Sequence, residues 1–137
     1  MQARIVNFDP SQELAILKVD GEGFSSVRLA ASPPVLGSAV IGIGYLLGMP
    51  QESAFVGTVA SLDERYIYFD APTGAGAAGG PLLGNSGEVV GLLVGRKMVG
   101  SGKDVGIAFA IRSDVALKYL ADHGMHFVNI TEQLPTR

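Results

Sequence analysis

The sequence predicts an all-β fold: a small antiparallel barrel with an additional N-terminal β-hairpin and one C-terminal α-helix. Three observations predict it. Glycine is frequent, 19 of 137 residues, about twice the usual ~7%, as expected for many tight turns. Short apolar runs recur with turn signals between them. Only one segment, near the end, carries the punctuation of a helix.

The elements follow in order. Residues 4–8 and 14–19 are apolar runs flanking Asp9-Pro10-Ser11-Gln12. Proline fixes φ there and the aspartate can bond the following backbone, so the pair reads as a hairpin. Asp20-Gly21-Glu22-Gly23 ends it, and Ser32-Pro33-Pro34 marks a surface connection. Residues 38–45 read as a strand carrying Val40, Ile41 and Ile43. Strands at 55–62 and 65–69 flank Asp63-Glu64, with Tyr66 and Tyr68 on one face and Ile67 and Phe69 on the other. Asn85-Ser86-Gly87 is a hairpin turn between strands at 81–83 and 88–94. The charges at Arg96-Lys97 and Lys103 read as a solvated loop before a strand at 105–111. Ser113 is the expected N-cap of the helix. Asp114 suits its first turn, Val115, Leu117, Tyr119 and Leu120 supply its apolar contacts, and Gly124 is the expected stop. The domain division is a hairpin at 1–20, a barrel at 25–112, a helix at 113–123 and a tail at 124–137.

Composition narrows the function. Hydrophobic residues at 47% and charged residues at 17% suit a folded domain rather than a disordered chain. The net charge is −3, and without a lysine or arginine cluster no nucleic-acid partner is expected. With no cysteine, disulfides and thiolate chemistry are excluded. No apolar stretch reaches the ~18 residues of a membrane span. Met1-Gln2-Ala3-Arg4 does not read as a secretory signal, since no apolar segment follows. His123 and His126 lie beside Asp122 at the expected helix end. A helix stopping at Gly124 breaks their common face, so a solvated terminus is the simpler reading and no metal is assigned. No cofactor is assigned either.

Two stretches carry a family resemblance. Asp9-Pro10-Ser11-Gln12-Glu13-Leu14-Ala15-Ile16-Leu17-Lys18-Val19 is one. Gly76-Ala77-Ala78-Gly79-Gly80-Pro81-Leu82-Leu83, followed by Gly87-Glu88-Val89-Val90-Gly91, is the other. In this order they resemble HtrA-type trypsin-like serine proteases, which read Asp-Leu-Ala-Leu-Leu-Lys-Val and Gly-Asn-Ser-Gly-Gly-Pro at these places. Residues 36–45, 57–61 and 106–114 fit as well, so the resemblance covers roughly residues 2–122. It implies that the barrel is the six-stranded C-terminal barrel of a trypsin-like protease and that the hairpin matches the end of the N-terminal barrel.

The parent chemistry needs a serine, a histidine that takes its proton, a carboxylate that orients the histidine, and two backbone N–H groups for the oxyanion. By resemblance, Ala78 stands at the nucleophile position, Glu13 at the aspartate position, and Gly76 and Ala78 supply the oxyanion N–H groups. Ala77 replaces the asparagine or aspartate before the serine. The histidine belongs to the N-terminal barrel. Ala78 has no heteroatom to form an acyl-enzyme. A lone Ser→Ala change is also what deliberate inactivation leaves, but the departures at Glu13 and Ala77 favour natural loss. The expectation is therefore a pseudoprotease acting as a protein- or peptide-interaction module. The alternatives are a fragment of an active serine endopeptidase whose serine was replaced, and a gene remnant without function. The resemblance places peptide binding by strand addition at Gly106, Ile107, Ala108 and Phe109 and suggests an extracytoplasmic (periplasmic or secreted) location. The apolar hairpin at 4–19 has no barrel to complete, and homo-oligomerisation through it is expected.

Overall fold

A computed structural model of the chain describes residues 1–46, 48–74 and 76–125. Strands β1 (Ala3–Asp9) and β2 (Leu14–Val19) form a separate two-stranded sheet. Strands β3 (Ala39–Gly44), β4 (Ser53–Leu62), β5 (Tyr66–Asp70), β6 (Pro81–Leu83), β7 (Val89–Val99) and β8 (Lys103–Arg112) close into an antiparallel barrel of order β3-β4-β5-β8-β7-β6. Helix α1 (Ser113–Asp122) follows directly.

Strand alternation builds the barrel core. Val40, Phe55, Val59, Ile67, Phe69, Leu82, Val90, Leu93, Ala108 and Ala110 point inward and are buried. The small Ala108 and Ala110 leave room for Phe55 and Phe69, as a narrow barrel requires. On the outer wall Tyr66, Tyr68 and Phe109 cluster, with ring centroids 5.4 Å apart for Tyr66–Phe109 and 6.3 Å for Tyr68–Phe109. A second cluster joins three elements: Leu14 and Ile16 of the hairpin, Ile111 of β8 and Tyr119 of α1. It seats the hairpin on the barrel and the helix.

The helix begins differently from expectation. Ser113 is fully buried and lies inside the first turn, after an extended Arg112 that has no side-chain cap bond. Its hydroxyl donates to the Ala30 carbonyl at 2.6 Å. A tertiary acceptor therefore takes the group that would otherwise cap the helix. Asp114 in the first turn pairs with Arg112 at 2.6 Å. The other end matches expectation: Gly124 has φ 76°, its N–H reaches Ala121, and the Met125 N–H reaches Leu120. These two bonds form a Schellman ending.

Two further differences concern β7. It runs to Val99, five residues past the expected Val94. Arg96 and Lys97 are strand residues rather than a solvated loop. Arg96 chelates Asp104 at 2.6 and 3.1 Å and donates to the Ala71 and Thr73 carbonyls at 2.9 Å each. Lys97 lies 5.6 Å over the Tyr68 ring.

Candidate active site

The first contributor to the site is the hairpin turn. The Gln12 N–H closes a turn on the Asp9 carbonyl at 3.1 Å, with Pro10 in its first corner. The Asp9 carboxylate accepts from the Ser11 N–H at 2.9 Å and from the Gln12 amide at 3.1 Å. These hydrogen bonds, with that of the Ser11 hydroxyl foremost, hold its carboxyl below the usual carboxylate range. Glu13 completes the loop at φ 57°, a left-handed conformation uncommon outside glycine. It is held there from the barrel side. Its carboxylate accepts from the Tyr66 hydroxyl at 3.1 Å, and the Arg65 guanidinium donates to the Gln12 carbonyl.

The second contributor is the glycine turn before β6. Gly76 (φ 95°) and Gly79 (φ 86°) take the left-handed region, and Gly76, Ala78 and Gly79 are exposed. Gly80 is a glycine for another reason: a Cβ there would stand 2.3 Å from the Ile43 carbonyl oxygen. The Gly79 N–H donates to the Leu93 carbonyl at 2.7 Å, and the Leu93 N–H returns a bond to Gly80 at 2.8 Å. Thus the turn is laced to β7. The N–H groups of Gly76 and Ala78 donate to no backbone carbonyl among the described residues. The Ala77 side chain points inward, where its Cα lies 3.0 Å from where a Gly44 Cβ would be. That close approach leaves little room for a side chain at residue 44.

The two contributors meet. Glu13, Leu14, Ala15 and Leu17 on one side and Ala78, Gly79, Leu92, Leu93 and Val94 on the other line a cleft of about 510 Å³. The residues at 13 and 78, far apart in sequence, thus face one space. The wall at position 78 offers only a methyl group. Beside it a hollow of about 250 Å³ is lined by Gly74, Gly76, Ala78, Val94, Gly95, Arg96 and Met98. The Arg96 guanidinium is already committed to Asp104 and to two carbonyls, so it adds no free charge to that hollow.

The expected docking residues fall in an interior strand and the stretch before it. Ile107, Ala108 and Phe109 lie in β8, which pairs with β5 on one side and β7 on the other. An interior strand has no ladder groups left for an added peptide. Gly106 sits in an irregular stretch with φ 79° and gives its N–H to Asp104 at 2.8 Å. The open edge is one strand over. β6 follows β7 only as far as Leu92 in the ladder and Leu93 by the turn bonds. Among the described residues, 94–99 of β7 pair with β8 alone. This edge adjoins Ala78. Its sequence signal was the long run Leu92-Leu93-Val94-Gly95-Arg96-Lys97-Met98-Val99, which the charges at 96 and 97 obscured.

His123 lies at the C-terminal end of α1, its Nδ1 2.7 Å from the Tyr119 carbonyl oxygen and its ring 4.4 Å from the Tyr119 ring. His126 lies outside the described residues. No group of three metal-ligating side chains occurs among the described residues, and no described helix is long and apolar enough to cross a membrane.

Comparison with known proteins agrees with this geometry. The trypsin-like peptidase domain family matches residues 1–92. A protein of Ectopseudomonas mendocina (strain ymp), "Probable periplasmic serine endoprotease DegP-like", is 34% identical over 127 residues, 86% of this chain and 26% of its own length. A protein of the same name from Chlamydia trachomatis is 33% identical over 129 residues, 86% of this chain and 25% of its own. The chain thus spans about a quarter of these relatives. The structure of the HtrA-type protease AlgW with a decapeptide superposes with a TM-score of 0.75 at 26% identity, covering 90% of this chain and 41% of that one. The inactive form of the Rv3671c protease gives 0.76 at 25% identity, covering 89% and 67%. With a six-stranded barrel, a separate hairpin and a glycine turn facing residue 13, this chain belongs to the trypsin-like peptidase family, as a member of the HtrA type.

Proposed function

We propose that this HtrA-type domain binds extended polypeptide without cleaving it. The observation that carries the reading is the cleft shared by Glu13 and Ala78, where the nucleophile position bears a methyl group beside an unpaired strand edge. Peptide-bond cleavage by this family's chemistry needs a hydroxyl at that position and an imidazole between it and the carboxylate. Strand addition needs neither. It needs free backbone groups, which residues 94–99 of β7 offer on one side, and a recess for a side chain, which the hollow at Gly76–Ala78 offers. In this role Gly76 and Ala78 would present their N–H groups to a peptide carbonyl. One relative by fold is described with a decapeptide. The DegP-like relatives are named periplasmic, and an extracytoplasmic location is proposed with the function.

Two measurements test it. Titration with an unstructured decapeptide is expected to perturb amide resonances along 94–99 and at 76–79, with saturable heat in calorimetry. Perturbation at 106–109 alone, or none, overturns the binding mode. The variant Ala78→Ser is expected to remain unlabelled by a fluorophosphonate probe. Labelling would instead make the chain part of a working serine endopeptidase.

A further inference from the structure

We propose that Arg96 is a positioning residue for the glycine turn: anchored on Asp104, its guanidinium holds the leading arm of the turn and so sets where the Gly76 and Ala78 N–H groups point. What those N–H groups then do rests on the peptide-binding reading; how they are held does not.

The segment from Ala71 to Gly80 is fastened to β7 at two places. Its trailing arm is fastened by backbone alone. The Gly79 N–H donates to the Leu93 carbonyl at 2.7 Å, and the Leu93 N–H donates to the Gly80 carbonyl at 2.8 Å. The leading arm is fastened by a side chain further along the same strand. Arg96 Nη1 donates to the Ala71 and Thr73 carbonyls at 2.9 Å each. Among the described residues, these two are the hydrogen bonds that tie 71–74 to another part of the chain. Gly76 and Ala78 lie between the two fastenings. The Ala77 N–H, bonded to the Gly74 carbonyl at 3.3 Å, links the leading arm to the centre of the turn.

Local geometry prepares both sides of this clamp. The Thr73 N–H closes on the Ala71 carbonyl at 2.8 Å. This is a three-residue turn centred on Pro72, whose ring fixes the φ such a turn needs. The turn brings two carbonyl oxygens within reach of one nitrogen. On the other side, Asp104 sits where β7 and β8 slip register, and its Oδ1 accepts the Gly106 N–H at 2.8 Å. The same carboxylate accepts from Arg96 Nε at 2.6 Å and Nη2 at 3.1 Å. Two parallel bonds of this kind fix the orientation of a guanidinium as well as its position. Four of the five guanidinium donors are thus engaged. A lysine has one nitrogen and no planar fork, so it cannot hold the carboxylate and both carbonyls in these directions.

Amide hydrogen exchange and chemical shifts of the unliganded chain test the clamp, and titration with the unstructured decapeptide tests its effect. In Arg96→Ala the Thr73 and Ala77 amides are expected to exchange about tenfold faster, the size of one hydrogen bond to a charged group. The Gly76 and Ala78 signals are expected to shift. The Gly79 amide and those of Ile67 and Phe69 in β5 are expected to keep their protection. The decapeptide's dissociation constant is expected to rise about tenfold. Asp104→Asn leaves the lining of the hollow untouched and is expected to act in the same direction. The double variant is expected to be no worse than Arg96→Ala, because the two residues form one network. Arg96→Lys keeps the charge and is expected to behave like Arg96→Ala. Uniform acceleration across the barrel, unchanged exchange at Thr73 and Ala77, or a lysine variant that matches the unmodified chain overturns the proposal. So does an unaltered peptide affinity beside a loosened turn. If the unmodified chain binds no peptide, the peptide reading falls alone, and the exchange pattern still decides whether Arg96 holds the turn.

Discussion

The barrel and the hairpin are both antiparallel sheets of short apolar strands, and they treat their edges in opposite ways. The barrel closes β3 onto β6, so each of its strands has a neighbour on both sides over at least part of its length. Its core side chains are almost wholly hidden, with Ile67, Phe69 and Leu82 at 0% exposure. Among the described residues the hairpin strands pair only with each other. The hairpin turns two buried residues, Leu14 and Ile16, toward the body and leaves Ile5, Phe8 and Leu17 in water. The difference shows where each region's stability resides. The barrel carries its own core, whereas the hairpin depends on a small shared cluster with Ile111 and Tyr119.

The sharpest way to break this contrast is in the barrel. Phe69→Ala removes a fully buried ring and is expected to cost about 3–5 kcal/mol. Thermal denaturation should show the loss, and it should unfold hairpin and helix along with the barrel. Next, Ile16→Ala opens the seat of the hairpin, at about 2–4 kcal/mol of local stability. Hydrogen exchange over residues 3–19 is expected to accelerate strongly while the barrel's melting temperature falls far less than for Phe69→Ala. Equal falls would show that the two regions unfold as one.

The smallest effect is at the joint. The Arg112 guanidinium, hydrogen-bonded to Asp114, holds the Asp114 carboxyl below the usual carboxylate range, and the same pairing raises Arg112. A carboxyl depressed in the folded state stabilises above its unfolded pKa and loses that contribution as pH falls through its folded value. Stability should thus be level from neutral pH down to about 5 and decline below about 4. Asp114→Asn should lower it by about 1 kcal/mol at pH 7, allowing for partial exposure, and flatten the acid decline in urea titrations. An unchanged acid limb would assign that decline to other carboxylates.

Much of the barrel was legible because period-2 patterning and glycine turns are local signals. The alternation of Ile67 and Phe69 with Tyr66 and Tyr68 marks one wall, and Asn85-Ser86-Gly87 marks a turn. The facing of residues 13 and 78 was legible only through resemblance, since no local rule relates residues so far apart. What was not legible depended on tertiary partners. Ser113 has the composition of a cap, but Ala30 claims its hydroxyl. Arg96 has the composition of a solvated loop, but the Ala71 and Thr73 carbonyls and Asp104 hold its guanidinium in place. The open edge was placed one strand away because sequence does not say which neighbour a strand lacks.

The bond from Ser113 to Ala30 has a mechanical consequence. Residues 20–28 are exposed throughout, and after the hairpin's own contacts the chain is next bonded to the barrel at Arg28–Ala30, by backbone bonds to Val89 and by this hydroxyl. The stitch works as a strain relief on a cable. Loosening of the hairpin is therefore expected to stop at Ala30 before it reaches β3. The hairpin is thus expected to lift from its seat while the rest of the fold stays shut.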